Sequence, residues 1–306
     1  MFRSITMILS VGLLLLASGS SMADEANGGQ AGAFLRLPVG TRAAGMGSAF
    51  ASVADGVEAI HLNPAGINQM EGVSLSAAYA SLSMDRVHYS GGVVVANPDV
   101  GAAGLLVVRF GVDEIDGRDE TGKQTSAFDD SEMMFDLAIA RRLLGPVSIG
   151  AGAKFITHAL ADNDATGVAF DLGFHSVSVF DGAVRKWRVG ASAGGLGGKL
   201  TWNTDSDHED ELPLTLRYGT SIDVGFGDVV TILSVEGRSV ADGESKVLAG
   251  AEVRPHEMLA LRVGFDGDYA TFGGGFIVSG YEIDYAYSPD FLEEGATHRF
   301  GVTTSF

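Results

Sequence analysis

From Val73 to the end of the chain, hydropathy alternates with a period of two. Met133, Phe135, Leu137 and Ile139 interleave with Met134, Asp136, Ala138 and Ala140. Val168, Phe170, Leu172 and Phe174 interleave with Ala169, Asp171, Gly173 and His175. Leu259, Leu261, Val263 and Phe265 do so with Ala260, Arg262 and Gly264, and Tyr281, Ile283, Tyr285 and Tyr287 with Glu282, Asp284 and Ala286. Successive side chains of a strand point to opposite faces, so alternation this strict predicts strands rather than helices. Fourteen such runs lie near 72–82, 86–97, 100–110, 132–141, 146–157, 166–177, 186–195, 213–224, 228–238, 246–254, 258–266, 269–278, 281–288 and 296–306. Each is about as long as a tilted strand that crosses a bilayer. The even count is that of a single-chain bacterial barrel.

The composition of the two faces separates a barrel from a soluble sandwich. A sandwich needs a solvated outer face rich in Lys, Glu and Thr. Here one face is large and apolar, and the other holds Gly, Ala, Ser and about one ionisable group per strand. Glycine fills 43 of 306 positions. Closing the sheet removes edges that lipid would leave unpaired. The expectation is therefore all-β: a fourteen-stranded antiparallel transmembrane β-barrel over 71–306. Connectors after runs 2, 4, 8, 10 and 12 are short, whereas those after runs 3 and 7 are long and acidic. That asymmetry matches the two rims of an outer-membrane barrel. Phe300, Val302, Thr304 and the terminal Phe306 share one face of the last run, the pattern of a signal for the barrel-assembly machinery. Trp187 and Tyr281, near run ends, suit an interfacial girdle facing outer-membrane lipid.

Residues 1–23 read as a signal peptide: Arg3, an apolar run from Ile5 to Ala17, and a cleavage site near Ala23 after Ser21 and Met22. The expected destination is the outer membrane of a Gram-negative-type bacterium. Residues 24–70 form a compact Gly/Ala-rich segment with one helix near 41–53, ending at the turn signal Asn63-Pro64-Ala65-Gly66.

Several chemistries drop out. A net charge of −19 opposes nucleic-acid binding, which needs Lys and Arg to displace counterions. With no cysteine there is no disulfide, thiolate or Cys-ligated zinc. A calcium loop starting at Asp205 fails, since its sixth and twelfth positions are Asp210 and Leu216 rather than Gly and Glu. Gly194-Gly195-Leu196-Gly197-Gly198-Lys199 fails as a phosphate loop, because Ala193 and Leu200 stand where Gly and Ser/Thr belong. The seven histidines lack metal-site spacing. No catalytic, metal or cofactor residues are expected, and the chain is not expected to be an enzyme. The lumen-facing ionisable residues are read as Arg109, Asp136, Lys154, Asp171, Arg188, Arg217, Glu236, Glu252, Arg262 and Asp284. They form either a polar path or a charge network filling the lumen. Inner-face Gly150, Gly152, Gly173, Gly190 and Gly219 are expected to allow close packing.

The stretch from Phe34 through Thr41-Arg42-Ala43-Ala44-Gly45-Met46-Gly47 to Phe50, continued by 54–66, resembles the opening of the PorV/PorQ family. Asn63-Pro64-Ala65-Gly66 is shared with the wider FadL-like group of outer-membrane transporters. Gly250-Ala251-Glu252, Leu261–Phe265 and Ile283–Tyr287 are similar too, so the resemblance covers nearly all of 24–306. It implies that 24–70 is a plug inside the barrel, with Arg36, Arg42, Gly45, Gly47, Asn63, Pro64, Ala65 and Gly66 as its motif. In that arrangement Arg36 and Arg42 would pair with lumen carboxylates. FadL-like members pass small hydrophobic molecules, and PorV-like members serve type IX protein secretion, with a secreted protein as the partner. The sequence departs from the fatty-acid transporters in its loops: 158–165 is short and polar, and the long connectors are acidic, so they offer no apolar capture groove.

Overall fold

The computed structural model describes residues 31–97, 99–204, 208–290 and 295–306. The signal peptide expected at 1–23, and residues 24–30, lie outside them. All fourteen runs are strands: β1 Gly72–Ser81, β2 Val87–Asn97, β3 Gly101–Ile115, β4 Phe128–Leu144, β5 Val147–Leu160, β6 Asn163–Val179, β7 Val184–Trp202, β9 Thr215–Phe226, β10 Val229–Val240, β11 Ser245–His256, β12 Leu259–Phe265, β13 Ala270–Val278, β14 Tyr281–Pro289 and β15 Ala296–Ser305. Each pairs antiparallel with its neighbours in this series, and β1–β15 pairing closes the ring. One further strand, β8 Glu209–Glu211, pairs with the outer end of β7.

Burial is inverted relative to a soluble protein. Leu137, Ile139, Phe170, Leu172, Ile283, Phe300, Val302 and Phe306 are exposed on the outer face, while the alternate positions are buried against the lumen. Phe306 is bound at its backbone to Val73 in both directions, at 3.0 and 2.9 Å. Tyr281 is exposed at the start of β14, and the Trp187 Nε1–H donates to Thr220 Oγ1 at 2.8 Å.

Three expectations need correction. Strands β3 to β7 are longer than the runs, at 14 to 19 residues against 7 to 12 for β9 to β15. Ladder pairing continues past the apolar alternation, through Val112↔Asp130 and a bulge to Ile115↔Phe128. Asp113, Glu114, Asp129 and Asp130 are therefore strand residues, and the 158–165 connector shrinks to Ala161-Asp162. Backbone pairing needs no apolar face, so hydropathy does not mark where it ends. The helix expected over 41–53 spans only Thr41–Gly45. Gly47 and Ser48 adopt left-handed backbone, φ 63° and 57°, and stop it. Arg109 faces outward, beside Asp113 at 3.8 Å, rather than into the lumen. Its strand reads Leu105-Leu106-Val107-Val108, apolar on both faces, because Leu106 and Val108 pack inward. Alternation there carries no sign of which face is which.

Residues 31–70 fill the lumen. Besides Thr41–Gly45 they form a helix Ala59–Leu62 and 3-10 turns Ala33–Arg36 and Pro64–Gln69. Met46, Phe50, Ile60 and Ile67 are fully buried. The approach to the wall is close. A Cβ at Gly150, Gly173 or Gly190 would run into Ala65 N, Asn63 Oδ1 or Ala51 O respectively. Gly152 and Gly219 play another part: their neighbours are wall residues, Asp171 and Asp136 for one and Val235 and Glu236 for the other.

Candidate functional site in the barrel lumen

The inner segment meets the wall in two different ways. Toward β2–β7 an apolar seam runs beside hydrogen bonds to β5–β7, among them Asn68 to Ser148 at 3.2 Å and Ser192 to Leu62 O at 2.7 Å. Phe34, Val39, Val57, Ile60 and Ile67 pack on Val94, Leu106, Val108, Met134, Ile156 and Leu200. Phe110 and Trp202 extend this cluster toward the long-connector rim; Ala96, Ala102 and Ala140 extend it toward the short-connector rim. An apolar seam thus runs the height of the lumen along one side of the inner segment.

Toward β9–β15 the contact is ionic and directional. Arg42 binds Asp55 at 2.5 Å and Glu252 at 2.8 Å. Glu252 also receives Arg262 at 2.6 Å, and Arg262 in turn binds Asp284 and Glu282. Arg254 joins through Glu252 at 3.1 Å and Glu282 at 3.5 Å. Beside this ladder, Arg217 binds Glu236 at 2.6 Å, and Glu236 accepts the Ala51 N–H at 2.7 Å. The Gly47 N–H donates to Thr271 Oγ1 at 3.0 Å. Burial opposes the charge on Arg42, but Asp55 and Glu252 outweigh it and hold its pKa well above the ordinary value.

A third set lies deep in the wall. Lys154 bridges Asp171 and, at 3.6 Å, Asp136; His61 of the inner segment approaches Asp136 at the same distance. Asp171 accepts the Gly195 N–H at 3.0 Å, where β7 bulges. Asn63 locks the turn beside it. Its amide donates to Ala51 O at 2.7 Å and to Phe174 O of β6 at 3.0 Å, while its Oδ1 accepts the Ala65 N–H at 3.2 Å. Asn63-Pro64-Ala65-Gly66 is thus more than a chain reversal: Asn63 caps a 3-10 turn that starts at Pro64 and pins it to the wall.

Two cavities flank the inner segment. At the short-connector rim a polar vestibule of about 380 Å³ is bounded by Arg42, Asp55, Glu58, Arg188, Glu252 and Thr303. Every carboxylate lining it except Glu58 has an ion pair among the described residues. Burial pushes the Glu58 carboxyl up to about 7. On the long-connector side a cavity of about 50 Å³ is lined by Arg36, His61, Lys154, Arg217 and Arg238, among others.

All nine wall residues Asp136, Lys154, Asp171, Arg188, Arg217, Glu236, Glu252, Arg262 and Asp284 are buried on the luminal side. They fall into four groups rather than one network: Asp136–Lys154–Asp171, Glu252–Arg262–Asp284, Arg217–Glu236, and Arg188, whose guanidinium binds Asp223 at 2.6 and 2.8 Å. Arg42 joins the second group, while Arg36 sits at the small cavity. Gly45 lies against Gly273 and Arg262, and Gly47 against the Phe265 backbone. Asp223, Arg238, Arg254, Glu282 and Arg299 are missing from the sequence-based set. Each stands two residues along the same face from an inward position, so the period alone places them. Glu58, His61 and Asp55 sit on an irregular segment with no period to read.

No family model and no curated protein matches the chain. Solved barrels do match in fold. The monoaromatic hydrocarbon channel CymD aligns with a TM-score of 0.55 at 14% identity, over 88% of this chain and 98% of that one. The Pseudomonas putida toluene transporter TodX gives 0.51 at 13%, over 81% and 92%. A Pseudomonas aeruginosa FadL homologue gives 0.53 at 10%, over 88% and 99%. The fold is therefore that of FadL-like channels.

Proposed function

We propose that this chain is an outer-membrane barrel that passes small hydrophobic molecules, with residues 31–70 as its plug. The apolar seam between the inner segment and β2–β7 carries the reading: it runs from rim to rim, and a hydrophobic molecule entering it exchanges one apolar contact for another. The exposed apolar outer face fits a bilayer, since a closed sheet leaves lipid as its natural cover. TodX and CymD, described as hydrocarbon channels, share the fold and support the cargo class. The charged vestibule then serves as the aqueous side of the path.

The test is uptake. Cells making the protein should accumulate labelled toluene faster than cells without it. Ala102→Asp, which puts a charge into the seam, should return uptake to background while the barrel keeps its heat-modifiable gel mobility. Equal uptake with and without the protein would end this reading. Native mass spectrometry of the detergent-purified protein separates the alternative: a stoichiometric protein partner and no retained hydrophobic molecule would favour PorV-like secretion.

A further inference from the structure

The barrel closes where the last strand, β15, meets the first, β1. Ala80 of β1 lies opposite Arg299 of β15 on one side and His88 of β2 on the other, and all three point inward and are buried. Arg299 is 3% exposed and His88 1%. Their one mutual hydrogen bond joins Arg299 Nη1 to His88 Nδ1 at 3.3 Å. A guanidinium has no acceptor, so the imidazole nitrogen accepts and the ring's proton resides on Nε2. That Nε2 is buried and has no hydrogen-bond partner among the described residues. Among the described residues no carboxylate lies within ion-pair distance of Arg299. The neighbouring Asp290 is taken by Arg86 at 2.7 Å, by the Ser83 N–H at 3.1 Å and by Thr297.

A buried cation with no carboxylate partner and a buried N–H donor with no acceptor are thus brought together among the described residues. Buried charges persist when they are paired. A set made only of donors selects an anion over a cation. The cross-strand neighbours Ala80 and Ala286 are small, and neither Arg299 nor His88 lines the two lumen cavities, so the ligand has to be compact. We infer that a compact inorganic anion of chloride size is bound between Arg299 and His88, bridging β15 to β2 across the closing seam. This site stands independently of the transport reading. Its role is to neutralise the seam and tie the last strand to the second, across the first.

Crystals of the full chain soaked in sodium bromide should show an anomalous peak within hydrogen-bond distance of Arg299 and His88 Nε2. Unfolding in detergent, compared at constant ionic strength in chloride and in methanesulfonate, should show saturable protection by chloride. At ten times the dissociation constant the folded-to-unfolded ratio rises roughly tenfold. Arg299→Gln should abolish that dependence; if this variant does not fold, the bromide experiment on the unaltered chain decides. No bromide peak, equal unfolding in both salts, or chloride protection that survives in Arg299→Gln would each overturn the site.

Discussion

The two sides of the lumen hold the same inner segment by different physics. Against β2–β7 an apolar, non-directional seam lies beside a few hydrogen bonds, Asn63 to Phe174 O and His175 to Ser52 O among them, and along that seam side chains can be exchanged for other apolar matter at little cost. Against β9–β15 it rests on Arg42, Glu252, Arg262 and Glu236, whose bonds have one good geometry each. The ion-paired side fixes the register of the segment, and the seam on the other side is where apolar contacts give most easily.

Breaking the ion-paired side should have the largest effect. Arg262 is buried among three carboxylates, so Arg262→Gln should cost about 3–5 kcal/mol in urea unfolding, with part recovered when Glu252→Gln is added. A loss below about 1 kcal/mol would show that the ladder is not what holds the segment. On the seam side, Ile60→Ala removes a fully buried side chain packed against Gly104 and should cost about 2–5 kcal/mol. If the seam is the path, the same variant should speed toluene uptake; unchanged uptake would separate the seam from the route.

Glu58 sharpens the comparison through pH. Its carboxyl titrates near 7 in the fold, above its ordinary value of 4.5, so the neutral form is favoured there. The associated stability is present below that ordinary value and is lost as pH rises through about 7. Hydrogen exchange of residues 41–62 should quicken between pH 5 and 8, by on the order of 2–3 kcal/mol of opening free energy, and Glu58→Gln should flatten the profile. The smallest effect is expected far from both sides. Lys199 and Glu209 form a half-exposed pair at 2.8 Å between β7 and β8, and Lys199→Ala should change stability by about 0.2–1 kcal/mol.

Much of this was legible in the residues. Every one of the fourteen runs became a strand, and nine charged positions read as lumen-facing are buried, because one face of this barrel is large and apolar while the other is small or charged. Legibility failed at Arg109, where both faces are apolar, and at the ends of β3–β7, where pairing continues after the alternation stops. It failed also within 31–70, where Gly47 and Ser48 end the helix early and no period survives.

The sequence by itself determined the fourteen barrel strands, their antiparallel order and, Arg109 apart, which way their charged residues face, since those depend on a period-two pattern carried locally by each run; β8, outside any run, was not among them. Only the tertiary structure decided who pairs with whom across the lumen. Arg42 meets Glu252 across 210 positions of chain, and Arg299 meets His88 across 211. Such pairings depend on where closure of the sheet brings distant strands, and no local pattern encodes that distance.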